Sequence, residues 1–336
     1  MFSRGAIRLR ASAAALMALV LGSVFLSPTP ASATSPPGGP RTWHVHVGEQ
    51  SASGALQGMA FLPGDITINV GDTVDWTADS LEPHTVSFVD AGHPLAPFSP
   101  AIAYMVTPTS QSSIAPGQFR NSGIMASMSD PALPPARQAY DLKFTAPGDY
   151  TYYCYLHGAG MIGRVHVNAA GTRYPLTQQQ YDRMFRQGRA AVIADGRALW
   201  ANARRQANDH HVFVGAADMR ALVMRFTRPT VTIRVGETVT FDANLNQVPV
   251  PHTVTFGAEP ANPGMPVGDP LHYDGVGPLN SGLMFAAPFG IPNVSRDTFP
   301  VTFTKAGTYH YICTFHDGMG MSGTVVVRAD DDSQDD

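Results

Sequence analysis

Ile66, Ile68 and Val70 alternate with Thr67 and Asn69, and Val231, Ile233 and Val235 repeat the alternation later in the chain. A period of two puts one side of an extended segment in a core and the other in water, so both stretches predict half-buried β-strands. Val70-Gly71-Asp72-Thr73-Val74 and Val235-Gly236-Glu237-Thr238-Val239 each place a glycine turn between strands. Pro147-Gly148-Asp149 and Ala306-Gly307-Thr308 turn into strands led by Tyr150 and Tyr309. Short strands with regular turn signals predict an all-β, antiparallel sandwich architecture. Residues 175–207 depart from this pattern. Thr177 with Gln180 has the spacing of a helix-start capping box, and Tyr181, Met184, Phe185, Gly188 and Val192 keep helical spacing. Leu199, Ala203 and Ala207 continue that face after an expected break at Asp195-Gly196.

The strand signals belong to an internal repeat. HVHVG (44–48) matches HVFVG (211–215), and ITINVGDTVDW (66–76) matches VTIRVGETVTF (231–241). PHTVSF (83–88) matches PHTVTF (251–256), NSGIM (121–125) matches NSGLM (280–284), and DYTYYCYLHGAGMIGRVHV (149–167) matches TYHYICTFHDGMGMSGTVVV (308–327). The order is the same in both halves, so two homologous domains are expected at 42–170 and 209–329, joined by a helical linker at 171–208.

Composition narrows the class. Of 336 residues, 44% are hydrophobic and 14% charged, which excludes a coiled coil or a disordered chain; 32 Gly and 28 Pro suit many turns. The net charge of −4 and the absence of a basic face argue against nucleic-acid binding. Charge is nonetheless uneven: the linker is Arg-rich, and 330–336 form an acidic tail. Residues 1–33 read as a signal peptide, with Arg4, Arg8 and Arg10, a short apolar run at 13–26, and Ala31-Ser32-Ala33 for cleavage. The expected location is therefore outside the cytoplasm, either extracellular or in the periplasm or cell envelope, with no membrane span left after cleavage.

The chemistry appears twice, as His84, Cys154, His157 and Met161, and as His252, Cys313, His316 and Met321. A thiolate and two imidazoles bind copper strongly in one plane, and a more distant thioether caps it weakly; a site of this kind favours one-electron transfer. Cys154 ends a strand, and Gly158 and Gly160 let the following loop bend around one ion, with the next strand expected from about Gly163. Equivalent positions in two repeats argue against a disulfide between the only two cysteines, and a reserved methionine argues against zinc.

Each half resembles a cupredoxin, the type 1 blue copper fold, of the plastocyanin and pseudoazurin type. CTFHDGMGMSG (313–323) is similar to the pseudoazurin-like ligand loop, which implies Met321 as the axial ligand, with Met319 the alternative. CYLHGAGMIG (154–163) resembles the plastocyanin loop, one residue shorter between His and Met. The resemblance implies two eight-stranded Greek-key sandwiches, each with a copper at one end. Thr85 and Thr253 stand where the family often has an Asn that ties the ligand loops together, and Tyr155 replaces its usual Ser or Thr, which Thr314 keeps.

These residues predict an exported electron-transfer protein with two type 1 coppers, serving redox partner proteins whose identity, like the oligomeric state, is open. A copper-dependent oxidoreductase, like a nitrite reductase or multicopper oxidase, and a copper carrier or buffer remain alternatives. No His flanks Cys154 or Cys313, so the sequence favours a carrier without substrate turnover. His44 and His46 share one strand face and could hold an auxiliary metal, although junction or solvent-facing histidines are the plainer expectation. The stretches 91–120 and 257–279 read as extra loops, in which His93 and His272 have no evident partner.

Overall fold

The computed structural model describes residues 39–129 and 133–329; the signal peptide read at 1–33 and the acidic tail at 330–336 lie outside the described residues. The first half runs β1 (Thr42–Gln50), β2 (Leu56–Leu62), β3 (Asp65–Asn69), β4 (Thr73–Ala78), β5 (Ser87–Phe88), a one-turn α1 (Ala103–Val106), β6 (Ser113–Ile114), β7 (Arg120–Asn121), β8 (Ala139–Phe144), β9 (Gly148–Cys154) and β10 (Gly158–Asn168). After α2 (Gln178–Gln206) the second half runs β11 (His211–Ala217), β12 (Ala221–Phe226), β13 (Thr230–Arg234), β14 (Thr238–Asp242), β15 (Thr255–Phe256), β16 (Pro266–Val267), β17 (Leu279–Ser281), β18 (Thr298–Thr302), β19 (Gly307–Ile312) and β20 (Ser322–Arg328). The protein is all-β, with two cupredoxin-like domains and one long helix between them.

Each domain has one sheet of its own, β3-β10-β9-β5-β7 and β13-β20-β19-β15-β17-β16. The opposing layers merge into a single nine-stranded sheet, β18-β14-β11-β12-β2-β1-β4-β8-β6. The seam is the antiparallel pair β2–β12, where Leu56, Gln57 and Gly58 lie opposite Val223, Leu222 and Ala221. Met59 N–H to Arg220 O (2.9 Å) and Met224 N–H to Ala55 O (2.8 Å) extend it. Two separate sandwiches were the expectation. The signal for a joint sheet is that β2 (LQGMAFL) and β12 (ALVMRF) are buried almost throughout instead of alternating, as strands covered on both faces are.

The helix supplies one of those covers. Its capping box is formed, with the Thr177 side chain on Gln180 N–H and the Gln180 side chain on Thr177 N–H. Val192 packs on Gly58, Gly188 on Leu62, and Gly196 on Leu56 and Ala221, so α2 spans the seam. The break expected at Asp195-Gly196 does not occur. Gly196 is needed for close approach: an added Cβ would lie 3.2 Å from Leu56 Cδ2. Tyr181 meets Trp43 edge-on at 5.7 Å and accepts a hydrogen bond from Thr67 N–H at 2.8 Å. Arg189 pairs with buried Glu49 at 2.8 Å, while Arg183, Arg186, Arg197, Arg204 and Arg205 stay exposed.

Two aromatic cores repeat one arrangement. Trp76 sits among Phe88, Phe144 and Tyr152, and Phe241 among Phe226, Phe256 and Tyr311. The extra loop of the first domain is packed as well. His93 stacks on Phe119 at 3.9 Å, bonds Asp90 at 2.9 Å, and accepts the Tyr155 hydroxyl on its carbonyl at 3.0 Å. His272 bonds Asp269 at 3.0 Å. Both histidines therefore have partners that the sequence did not reveal, each an aspartate three residues earlier.

Candidate metal centres

Cys154 closes β9, whose alternation points Tyr150, Tyr152 and Cys154 inward. His157 follows in the turn, and β10 begins at Gly158 rather than near Gly163. Gly158 pairs with Cys154, and the register slips before Ile162. This bulge holds the loop against the strand end and leaves Met161 buried. His84 comes from the other side, where its N–H and C=O each bond Met125 at 2.8 Å. The NSG motif builds this clamp: Ser122 Oγ accepts Val86 N–H at 2.8 Å, Asn121 Oδ1 accepts the Ser87 hydroxyl at 3.1 Å, and Gly123 turns the chain at φ 68°. In the second half Ser281, Asn280 and Met284 do the same for Val254, Thr255 and His252. The sequence showed the NSG repeat without revealing its task.

The side chains converge. In the first cluster Cys154 Sγ lies 3.3 Å from His157 Nδ1 and 3.9 Å from His84 Nδ1, and the two Nδ1 atoms are 3.1 Å apart. In the second, Cys313 Sγ lies 3.3 Å from His316 Nδ1 and 3.9 Å from His252 Nδ1. Both cysteines are free and buried. Among the described residues these are the two groups of three or more His, Cys, Asp or Glu side chains gathered tightly enough for one ion. One soft sulfur with two inward-facing imidazole nitrogens fits copper, and the buried Met161 and Met321 belong to the same core clusters as Cys154 and Cys313. Met319 belongs to the core of the opposite domain instead.

Backbone N–H groups of Thr85 and Thr253 point at the sulfurs from 3.4 Å. The two hydroxyls tie the loops together, accepting Tyr155 N–H at 2.8 Å and Thr314 N–H at 2.9 Å. The threonines thus join the ligand loops at the family's Asn position. Thr314 adds a hydroxyl contact to Thr253 at 3.1 Å, outside its own ligand loop. Tyr155 instead buries its ring with Met105, Val106 and Ile124.

Electrostatics at the cysteines and the first histidines favour metal uptake. Burial opposes ionisation of both thiols, but His157 and His316 outweigh it, so Cys154 lies below the ordinary thiol value and Cys313 well below it. Burial by itself would lower His157, yet Cys154 and Glu82 push it up to about 10. Burial and the neighbouring His157 hold His84 well below the usual imidazole range, and burial likewise lowers His252. A more acidic thiol and a less basic first histidine lessen proton competition for a metal, whereas His157 has a proton to give up on binding.

Two glycines missed as site residues are required. Gly48 (φ 71°) and Gly215 (φ 73°) lie over the first histidine of each cluster, where a Cβ would fall 2.4 Å from His84 Nε2 or 2.8 Å from His252 Nε2. The repeat HVHVG/HVFVG carried this signal. His44 and His46, by contrast, do not converge on a third ligand: His44 pairs with Asp75 at 3.3 Å, while His46 bonds Asp79 at 2.6 Å and stacks on Phe185 of α2 at 3.6 Å. They are junction and surface histidines.

A tandem β-sandwich with one buried thiol–imidazole cluster per domain defines a two-centre blue copper protein. Comparison with known proteins agrees. The sequence model described as "Copper binding proteins, plastocyanin/azurin family" matches residues 48–168 and 213–328, and the chain belongs to that family. Plastocyanin of Synechococcus sp. (strain JA-2-3B'a(2-13)) is 32% identical over 160 residues, 46% of this chain and 89% of that protein. Plastocyanin of Prochlorothrix hollandica is 28% identical over 153 residues, 45% of this chain and 87% of that protein. Among solved structures, a reduced amicyanin mutant is similar at 23% identity, with TM-score 0.23, covering 38% of this chain and 82% of that one. Two type 1 copper sites follow from the family and the two clusters.

Proposed function

We propose that the chain is an exported electron carrier, with one copper held by His84, Cys154, His157 and Met161 and the other by His252, Cys313, His316 and Met321. The observation that carries this reading is the duplicated convergence of two Nδ1 atoms on one buried Sγ, with matching distances in both domains. Copper supplies the one-electron couple when bound. The chain's residues do the rest. The Met125 and Met284 bridges fix the first histidines, and the Thr85 and Thr253 N–H groups stabilise thiolate charge. Full burial of both sulfurs keeps water from them. A site so constrained moves little when its charge changes, which suits exchange with redox partner proteins.

The carrier reading is preferred over an enzyme because Cys154 lies between Tyr153 and Tyr155, and Cys313 between Ile312 and Thr314, with no histidine relay to a further metal. The separate aspartate partners of His44 and His46 point the same way. Export is supported by the n-region, apolar run and small-residue site within 1–33. Among the described residues no helix is long and apolar enough to cross a membrane. Metal analysis with a visible absorption spectrum tests the reading: two coppers per chain and an intense blue thiolate band are expected, and a colourless copper-loaded protein would contradict it.

A further inference from the structure

The two clusters open toward the same seam, and each ligand loop is covered by the opposite domain. Met219, in the β11–β12 turn, sits on Gly160 in the first ligand loop. The β1–β2 turn answers it on the second loop: a side chain at Gly54 would stand 3.4 Å from Met319 O. Arg225 donates to both Met319 O and Ser53 O, clamping that turn to the loop. Met128 of the first domain covers Gly318. In consequence the His157 side chain is only 8% exposed and His316 only 6%.

A line of polar contacts runs from His157 to the Gly54 turn, which lies against the second domain's ligand loop at this seam. His157 Nε2 lies 3.4 Å from Glu82 Oε1. Glu82 N–H donates to Gln57 Oε1 at 3.3 Å, and Gln57 Nε2 donates to Gly54 O at 2.9 Å. Gly54 abuts Met319, whose N–H donates to His316 O at 3.0 Å. Gln57 is fully buried and Glu82 is 8% exposed, and the Glu82 carboxylate is also felt by His252. A buried carboxylate and amide cost free energy in an apolar seam. The equivalent positions in the second domain, Val250 and Leu222, are apolar, so the fold itself does not demand polar groups there.

We propose that Glu82, Gln57 and the Gly54 turn join the two ligand sets into one internal redox pair, a statement that rests on the copper reading above. An electron arriving at either centre passes across the seam to the other; one ion loses what the other gains, and no atom or proton changes place. With the edges of His157 and His316 covered, this route runs through protein and not through solvent.

The test uses the full copper-loaded chain. A blue band at both sites is the entry condition, and its absence sinks the copper reading rather than this one. Electron paramagnetic resonance of the fully oxidised protein should show dipolar coupling between two Cu(II) ions, lost in Cys313→Ser. After rapid reduction by less than one equivalent of electrons, the two centres should re-equilibrate at a rate independent of protein concentration. That rate should fall several-fold in Gln57→Leu and in Arg225→Ala, with each site's spectrum retained. Absent dipolar coupling, a concentration-dependent rate, or equal rates in wild type and Arg225→Ala would overturn the proposal. Should Gln57→Leu fail to fold, the wild-type coupling and the Arg225→Ala rate decide alone.

Discussion

The two clusters share their inner geometry and differ in what stands behind the histidines. Behind His84 is Ser80, 3.0 Å from Nε2, and its own hydroxyl proton goes to Glu82 O at 2.9 Å. Ser80 therefore accepts from Nε2–H, which leaves Nδ1 free to bind metal. The equivalent position beside His252 is Val248, and His252 Nε2 has no partner among the described residues. Behind His157 is the Glu82 carboxylate; its counterpart is Val250. Repetition thus kept the metal-facing atoms, while the residues at positions 80 and 82 are replaced by Val248 and Val250 in the second half. A carboxylate on a ligand imidazole raises its basicity and favours the more positive metal; Glu82 touches His157 directly and acts on His252 only as a lesser influence, so it should lower the potential of the Cys154 centre more than that of the Cys313 centre.

The broadest way to break the comparison is to remove one centre. Cys154→Ser and Cys313→Ser should each abolish their own blue band and keep the other, with circular dichroism unchanged. Loss of both bands from one substitution would mean that the domains do not hold separate coppers.

Next in size is the glycine over each first histidine. Gly48→Ala and Gly215→Ala both force a side chain into left-handed backbone, costing about 1–3 kcal/mol each. The Gly48 change should be the worse, because its Cβ would also fall 2.2 Å from Ser80 Oγ. Thermal unfolding of the two variants checks the order.

Glu82→Gln should weaken copper at the Cys154 centre by about 10–100-fold, as loss of an outer-shell partner commonly does, with a smaller effect at the Cys313 centre, whose His252 also feels that carboxylate. Competitive chelator titration of the two single-cysteine variants measures it. Smallest is Ser80→Ala, which strands His84 Nε2 as His252 Nε2 already is. A stability loss of about 1–3 kcal/mol is expected, and none if the buried nitrogen needs no partner.

Much of this was legible in the chain. The alternation around Ile66–Ile68 and Val231–Ile233, the capping box at Thr177 and the two ligand motifs are local signals, and each forms. The joint sheet is not legible in the chain, because pairing of β2 with β12 is set between halves. Its trace, two strands without polar alternation, looks like any buried strand. Helix α2 runs unbroken through Asp195-Gly196 because Gly196 answers to Leu56 and Ala221 rather than to helix propensity. The contrasts Ser80/Val248, Glu82/Val250 and Gln57/Leu222 were present in the sequence. They are mismatches beside strong matches, and only the fold shows that they face the ligands and the seam.

Inequality of the two centres is tested most directly by potentiometric titration of the copper-loaded protein, followed through its thiolate absorption. Two resolved midpoints are predicted, the lower one disappearing in Cys154→Ser and moving up toward the other in Glu82→Gln. A single shared midpoint, or a lower midpoint that belongs to the Cys313 centre, would contradict the account.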